Sequence, residues 1–388
     1  MTRAPRRASV AAAAVAAIML AAGCGSTTAG PHSTTAPGAV PPSSLDTAMA
    51  TAAGTLAVTV MGGPAAQHNN FWQLFIRPAG GSRWKLVTPP GTADNGGLVL
   101  AAGGPTLITA FRPSQALTYT PLTQTRDDGQ TWSALSPLDA PLADTADALA
   151  IAPAHGALLA LLTDGTAEQA GPGSATWKTL ANPRTLAVTP AGRRCGLQAL
   201  TAVAYTSAGV PLLAGTCSHE GSVGIFAAVN GTWQAAGPAI PVGLARQHIT
   251  VLRLIRTANQ IMAVLAVGSG HAASVLAAWS ADNGHRWTLS PTLRLRGEAL
   301  TSASFGPAGT VALITGAHTA RFTSAGSQWH ALPVLPPGTT TLVPGPDGQT
   351  QALAVHRATL TVWQLPPGGG HWAATQVISV PIQFGSSG

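Results

Sequence analysis

The chain has little charge. Asp, Glu, Lys and Arg make up only 9% of its 388 residues, and Lys occurs just twice, at Lys85 and Lys178. The basic residues are almost all Arg, scattered with no run longer than Arg193-Arg194. A nucleic-acid interface needs a dense basic face delivered by helices or interleaved with aromatics, so nucleic acid is excluded as a partner. Sparse charge beside 44 Gly and 31 Pro does not suit helices and suits many short strands joined by tight turns. There are two Tyr (Tyr119, Tyr205) and three Glu (Glu168, Glu220, Glu298), little material for acid–base chemistry. The eleven His show no paired ligand spacing, so no metal is expected. Gly268-x-Gly270-x-x-Ala273 has the letters of a dinucleotide fingerprint, but strand-like Ser274–Trp279 follows it instead of a helix. No cofactor is expected, and no Ser/His/Asp order stands out.

Long apolar runs are also missing, with one short exception at the start. Arg3, Arg6 and Arg7 precede a small-residue apolar stretch, Ser9 to Ala22, too short for a comfortable transmembrane helix. It ends in Leu20-Ala21-Ala22-Gly23-Cys24. The pattern is that of a secretion signal, and its end resembles the bacterial lipoprotein box, with Ala21 where a large aliphatic residue is usual. The resemblance implies a signal peptide over 1–23, lipid on Cys24, and export to the outer face of the bacterial cell membrane. Residues 24–52, rich in Ser, Thr, Pro and Gly, are expected to form a disordered tether. Without Arg3, Arg6 and Arg7 the formal charge falls from +7 to +4.

Cysteine is scarce too. With Cys24 lipidated, Cys195 and Cys217 remain, an even pair in an oxidising compartment. Leu197–Tyr205, a turn at 206–209 and Val210–Gly215 read as a hairpin whose turn lies midway between the two cysteines. Antiparallel pairing would set them opposite each other, within disulfide reach.

What the chain has in regular supply is tryptophan. Trp84, Trp132, Trp177, Trp233, Trp287, Trp329 and Trp372 recur at intervals of 42 to 56 residues. A period of 40–50 residues points to a propeller. Each unit reads as up to four strands, inner to outer, with the Trp opening the outermost. Leu98–Ala102, Thr106–Phe111, Leu117–Thr125 and Thr131–Ala134 form one unit. Ile249–Arg256, Gln260–Val267, Ala273–Ser280 and Arg286–Leu289 form another. The expected fold is all-β, a seven-bladed β-propeller with four-stranded antiparallel blades over residues 53–388. The first unit lacks a convincing inner strand, and the tail Val377–Phe384 is expected to supply it and close the ring.

Two of the tryptophans complete a longer motif: Thr125-x-Asp127-x-Gly129-x-Thr131-Trp132 and Ser280-x-Asp282-x-Gly284-x-x-Trp287. These resemble the Asp-box, or bacterial neuraminidase repeat, a turn between the third and fourth strands. In such a turn the Asp accepts from backbone N–H groups, the Gly takes positive φ, and the Trp fills the gap between adjacent sheets. Five further units keep the Trp without the Asp. The resemblance, to the sialidase superfamily and its non-enzymatic relatives, implies boxes on the periphery that specify fold and not substrate.

An exo-sialidase would further need three Arg on a carboxylate, a Tyr nucleophile with its Glu, an Asp, and an Arg-x-Pro element. Here Arg77-Pro78 and Arg112-Pro113 both lack the middle residue. Tyr205 with Glu220 is the one candidate catalytic pair. Arg253 and Arg256, on an expected inner strand, are candidate anion-binding residues. The expected function is a lipid-anchored envelope protein whose non-catalytic propeller binds a protein or a glycan. The alternatives are a divergent sialidase-like exo-glycosidase and a scaffold like the photosystem II assembly factors.

Overall fold

Short runs of β-branched and aliphatic residues separated by Gly, Pro and Asp turns become strands almost throughout the computed structural model. It describes residues 43–62, 70–90, 97–111, 118–143, 148–153, 156–172, 176–257, 260–268, 274–316 and 319–381. The signal region, Cys24 and Phe384 lie outside the described residues.

The strands form antiparallel sheets in chain order. The first comprises β1 (Ser43–Thr51), β2 (Gly54–Gly62), β3 (Asn70–Pro78) and β4 (Lys85–Leu86). The second comprises β5 (Leu98–Gly103), β6 (Thr106–Phe111), β7 (Thr120–Thr125) and β8 (Ser133–Leu138). The third is β9 (Leu149–Ile151), β10 (Leu158–Leu161), β11 (Ala167–Ala170) and β12 (Trp177–Ala181). A nine-stranded sheet follows. It contains the run β13 (Leu197–Tyr205), β14 (Pro211–Cys217), β15 (Gly224–Val229), β16 (Thr232–Ala235) and the run β17 (Ile249–Arg256), β18 (Ile261–Val267), β19 (Ser274–Ser280), β20 (Thr288–Leu289). The two runs meet through the pair Thr216 and Thr250, and β21 (Leu293–Arg294) adds to β19. Then come β22 (Leu300–Phe305), β23 (Thr310–Thr315), β24 (Thr319–Ser324), β25 (His330–Ala331), and last β26 (Thr339–Pro344), β27 (Thr350–His356), β28 (Thr359–Leu365), β29 (Ala373–Ser379).

Burial grades across each sheet. Second strands such as β10 and β23 are buried along their whole length, while outer strands such as β16 and β29 are mostly exposed. A strand buried on both faces has a neighbouring sheet on each side. Apolar clusters lie between consecutive sheets: Leu56, Leu74 and Ile76 with Leu98, Leu107 and Phe111, for example. The final sheet packs on the first in the same way, through Val343, Leu353, Leu360 and Val380 against Leu45, Ala57, Met61 and Phe75.

This closure differs from the one expected. β1 lies inside the segment assigned to the tether and is itself the missing inner strand of the first sheet, paired with β2 from Ser43↔Met61 to Thr51↔Gly54. The β-domain therefore begins before residue 53. The tail residues 377–379 belong to β29, the outer strand of the last sheet. Closure is face-to-face packing plus polar contacts. Gln73 Nε2 donates to the Pro381 carbonyl at 2.8 Å, Gln376 Nε2 donates to the Ser82 carbonyl, and the Arg77 guanidinium donates to Gln351 Oε1 at 2.8 and 2.6 Å.

Two short helices, α1 (Pro183–Ala187) and α2 (Pro190–Cys195), also depart from the strand-only expectation. Both start on a local signal, Asn182 or Thr189 as N-cap followed by Pro at the first helical position. They set the geometry of the disulfide. Cys195 and Cys217 are bonded, with Cα atoms 4.9 Å apart. The residue opposite Cys217 in the ladder is Leu197, not Cys195. Cys195 ends α2, and Gly196, at φ 62°, turns the chain so that the sulfur reaches across.

Candidate functional site

The two Asp-containing turns join β7 to β8 and β19 to β20. In the first, Thr125 Oγ1 donates to Asp127 Oδ1 at 2.8 Å and accepts from Gly129 N at 3.0 Å. Asp127 Oδ1 accepts from Thr131 N at 2.9 Å and Oδ2 from the Thr131 hydroxyl at 2.6 Å. These bonds, led by the Thr131 hydroxyl, lower the Asp127 pKa to about 2. In the second turn Ser280 Oγ donates to Asp282 Oδ1 at 2.9 Å and accepts from Gly284 N at 2.8 Å, while Asp282 accepts from Arg286 N at 2.7 Å. That last bond is the chief cause of the lowered Asp282 pKa.

Each turn docks on the end of the preceding four-strand run. Trp132 Nε1 donates to the Val87 carbonyl at 3.1 Å and Trp287 Nε1 to the Ala236 carbonyl at 2.8 Å. Gly129, at φ 79°, leaves no room for a side chain: a Cβ would lie 2.5 Å from Val87 Cβ. Two units without the Asp keep the tie, since Trp329 donates to Pro291 at 2.7 Å and Trp372 to Pro333 at 3.4 Å. All seven tryptophans are half-buried, so each fills the gap with one part of its ring system and leaves another in solvent.

The functional space lies elsewhere. A cavity of about 900 Å³ is lined by β1, β5, β9, β13, β17, β22 and the start of β26, the first strand of each four-strand run. Five of these strands carry one-residue bulges, six in all, between Leu45/Thr47, Leu197/Ala199, Leu200/Ala202, Val251/Arg253, Leu300/Ser302 and Thr339/Thr341. A bulged residue has no ladder partner and its side chain is re-aimed. Four of the six extra residues, Asp46, Leu252, Thr301 and Thr340, line the cavity. Sequence reading missed Asp46 because it fell in the supposed tether, and it missed the hydroxyls because a bulge leaves no mark in the apolar pattern.

Arg253 and Arg256 both line this cavity, as their inner-strand placement implied. Arg253 Nη1 donates to the Ala303 carbonyl at 3.2 Å, and its guanidinium lies 5.8 Å from the Phe305 ring centroid. Arg256 Nη1 donates to the Thr257 carbonyl at 3.1 Å, and burial lowers its pKa. Tyr205 borders the cavity but is 1% exposed. Its hydroxyl accepts from Gln169 Nε2 at 3.0 Å, and burial raises its pKa to about 12. Glu220 is exposed between β14 and β15 and does not line the cavity. The structure thus gives Tyr205 an amide partner and does not assemble the candidate Tyr205–Glu220 pair. Among the described residues no group of three His, Cys, Asp or Glu is placed to hold a metal ion, and no helix is long and apolar enough to cross a membrane.

No protein-family model matches the chain, and no curated protein sequence matches it. Solved structures do. A putative 6-phosphogluconolactonase from Bacteroides uniformis aligns with TM-score 0.53 and 15% identity over 84% of this chain and 97% of its own. The polysaccharide lyase Uly1 aligns with TM-score 0.50 and 11% identity over 76% of this chain and 82% of its own. YCF48 bound to a D1 peptide aligns with TM-score 0.44 and 16% identity over 82% of this chain and 91% of its own. All three are β-propellers, and at these identities the likeness is one of fold.

Proposed function

We propose that the chain is a seven-bladed Asp-box propeller, exported as a lipoprotein on Cys24, that serves as a non-catalytic platform binding a protein or glycan at the cell surface. Taking the nine-stranded sheet as two blades, β13–β16 and β17–β20, gives the count of seven. The observation that carries the binding role is the cavity: about 900 Å³, walled by the inner strands, with the bulge residues Asp46, Thr301 and Thr340 in its lining. Hydroxyls and backbone groups on a rigid concave wall suit recognition of a polar ligand. The Gln169 bond and deep burial of the Tyr205 hydroxyl support binding without hydrolysis.

The test uses residues 25–388 on a glycan array and against envelope-protein extracts. Thr301→Ala with Thr340→Ala should weaken the best-captured ligand without changing the melting temperature. Capture unaffected by both substitutions would reject the cavity as the binding face. Turnover of a sialic-acid reporter, abolished by Tyr205→Phe, would favour the glycosidase alternative. Cys24→Ala should release the protein from membranes, and a variant that stays membrane-bound with a normally processed N-terminus would reject the anchor.

A further inference from the structure

Arg256 ends β17 on the cavity wall. Its guanidinium is half-buried. Nη1 donates to the Thr257 carbonyl at 3.1 Å, and Nε is buried without a partner among the described residues. Burial lowers its pKa, and no carboxylate among the described residues offsets that. Arg77, also part-buried, is different, because Asp347 lies close enough to offset part of the cost of burial. Withdrawing a cation from water without a counter-charge costs stability. A residue kept for packing alone would not carry that charge.

The other charged groups on the described wall are Arg253 and Asp46. Arg253 is already engaged with Ala303 and Phe305. Asp46 is solvent-exposed on β1. Two Arg against one Asp leave the wall with one net positive charge, and the part of it that lacks compensation is Arg256.

Building on the reading of the cavity as the binding face, we propose that it takes a carboxylate-bearing small molecule with Arg256 as the counter-ion. A single net charge matches a monoanion better than a phosphate dianion. A planar guanidinium also pairs edge to edge with a planar carboxylate. Ser302 and Ser304 line the same cavity and offer hydroxyls to the rest of the ligand. The volume lies in the upper part of the range for small-ligand sites.

The probes are glucuronate, citrate and acetate, with glucose as the neutral counterpart of glucuronate and inorganic phosphate as the competing anion. Calorimetric titration of the purified chain at low salt should show saturable binding of at least one carboxylate. If glucuronate is the carboxylate that binds, glucose should bind about tenfold more weakly, the scale of one charged hydrogen-bonded pair. Arg256→Gln should weaken carboxylate binding about tenfold, and Arg246→Gln, an exposed site off the cavity, should leave it unchanged. Arg256→Met should raise the melting temperature in carboxylate-free buffer, since it removes an uncompensated charge. No Arg256-dependent binding of any of the three carboxylates overturns the proposal. Phosphate binding as tightly as the best carboxylate, with no effect of Arg256→Gln, also overturns it. Array capture that persists while carboxylate binding is absent would reject the anion site and leave the platform reading standing.

Discussion

The indole N–H of Trp287 donates to the carbonyl of Ala236 at 2.8 Å, joining the turn before β20 to the chain just after β16. The same relation recurs between Trp132 and Val87, Trp329 and Pro291, and Trp372 and Pro333. Each of these tryptophans ties its own four-strand run to the end of the preceding run. The repeat is therefore a device for joining sheets, and it acts at the outer strands, away from the cavity.

Trp287→Phe keeps most of the apolar contact and loses the hydrogen bond, and should cost about 1 kcal/mol. Trp287→Ala should cost about 2–3 kcal/mol, below the range for a fully buried aromatic because the ring is half-exposed. Urea denaturation reads both. Unchanged midpoints would mean that the indole does not join the sheets.

Asp127 makes stability depend on pH. Its folded pKa, about 2, lies below the unfolded value of about 3.9. Its contribution is therefore fully present above the unfolded pKa and is lost as pH falls through the folded one. The difference in denaturation midpoint between the wild type and Asp127→Asn should be constant above about pH 5 and shrink between about pH 4 and 2. A difference that stays flat across that window would show that the carboxylate's ionisation is irrelevant to the turn.

Gly129→Ala combines a positive φ of 79° with a Cβ placed 2.5 Å from Val87 Cβ. The added methyl should destabilise the protein by about 1–3 kcal/mol, and because alanine at 87 would keep the Cβ that the methyl meets, most of the cost should disappear only in a background of Val87→Gly if the clash outweighs the strain. A double-mutant cycle on thermal melts distinguishes the two.

Reducing the Cys195–Cys217 bond, which closes a separation of 22 residues, should cost about 2–4 kcal/mol. The loss should be largest near α2, which hangs on that bond, and hydrogen exchange over 190–196 should accelerate. Exchange that rises uniformly over the chain would show that α2 does not depend on the disulfide.

A chain ending at residue 372 loses β29, the Gln376 contact with Ser82 and Val380 at the seam between the first and last sheets. Its melting temperature should fall. The first sheet should keep its four strands, because β1 comes from the N-terminal side. Loss of exchange protection throughout β1–β3 would instead mean that the first sheet needs the tail.

Local chemistry was readable from the residues. The Thr125–Trp132 turn closes its hydrogen bonds within five residues, so the side chains that build it are adjacent in sequence and carry their own signal. The same holds for Asn182 and Thr189, whose capping potential and following prolines mark helices that the overall composition hid. Strand periodicity placed β5, β6, β17 and β18 within a residue or two, because a second strand buried on both sides is apolar throughout.

The cavity and the seam are different in kind. Asp46 and Arg256 share a wall although about 210 residues separate them along the chain. Gln73 reaches Pro381, and Arg77 reaches Gln351, only because the last sheet packs against the first. The sequence by itself determined the strand repeat, the Asp-bearing turns and the pairing of Cys195 with Cys217, since each follows from neighbours within a few dozen residues. Only the tertiary structure decided that β1 completes the first sheet, that Tyr205 faces Gln169 and not Glu220, and that Arg256 stands half-buried with no counter-charge among the described residues. Those outcomes depend on which strands end up side by side, and that is settled by burying apolar faces between sheets that lie far apart in the chain.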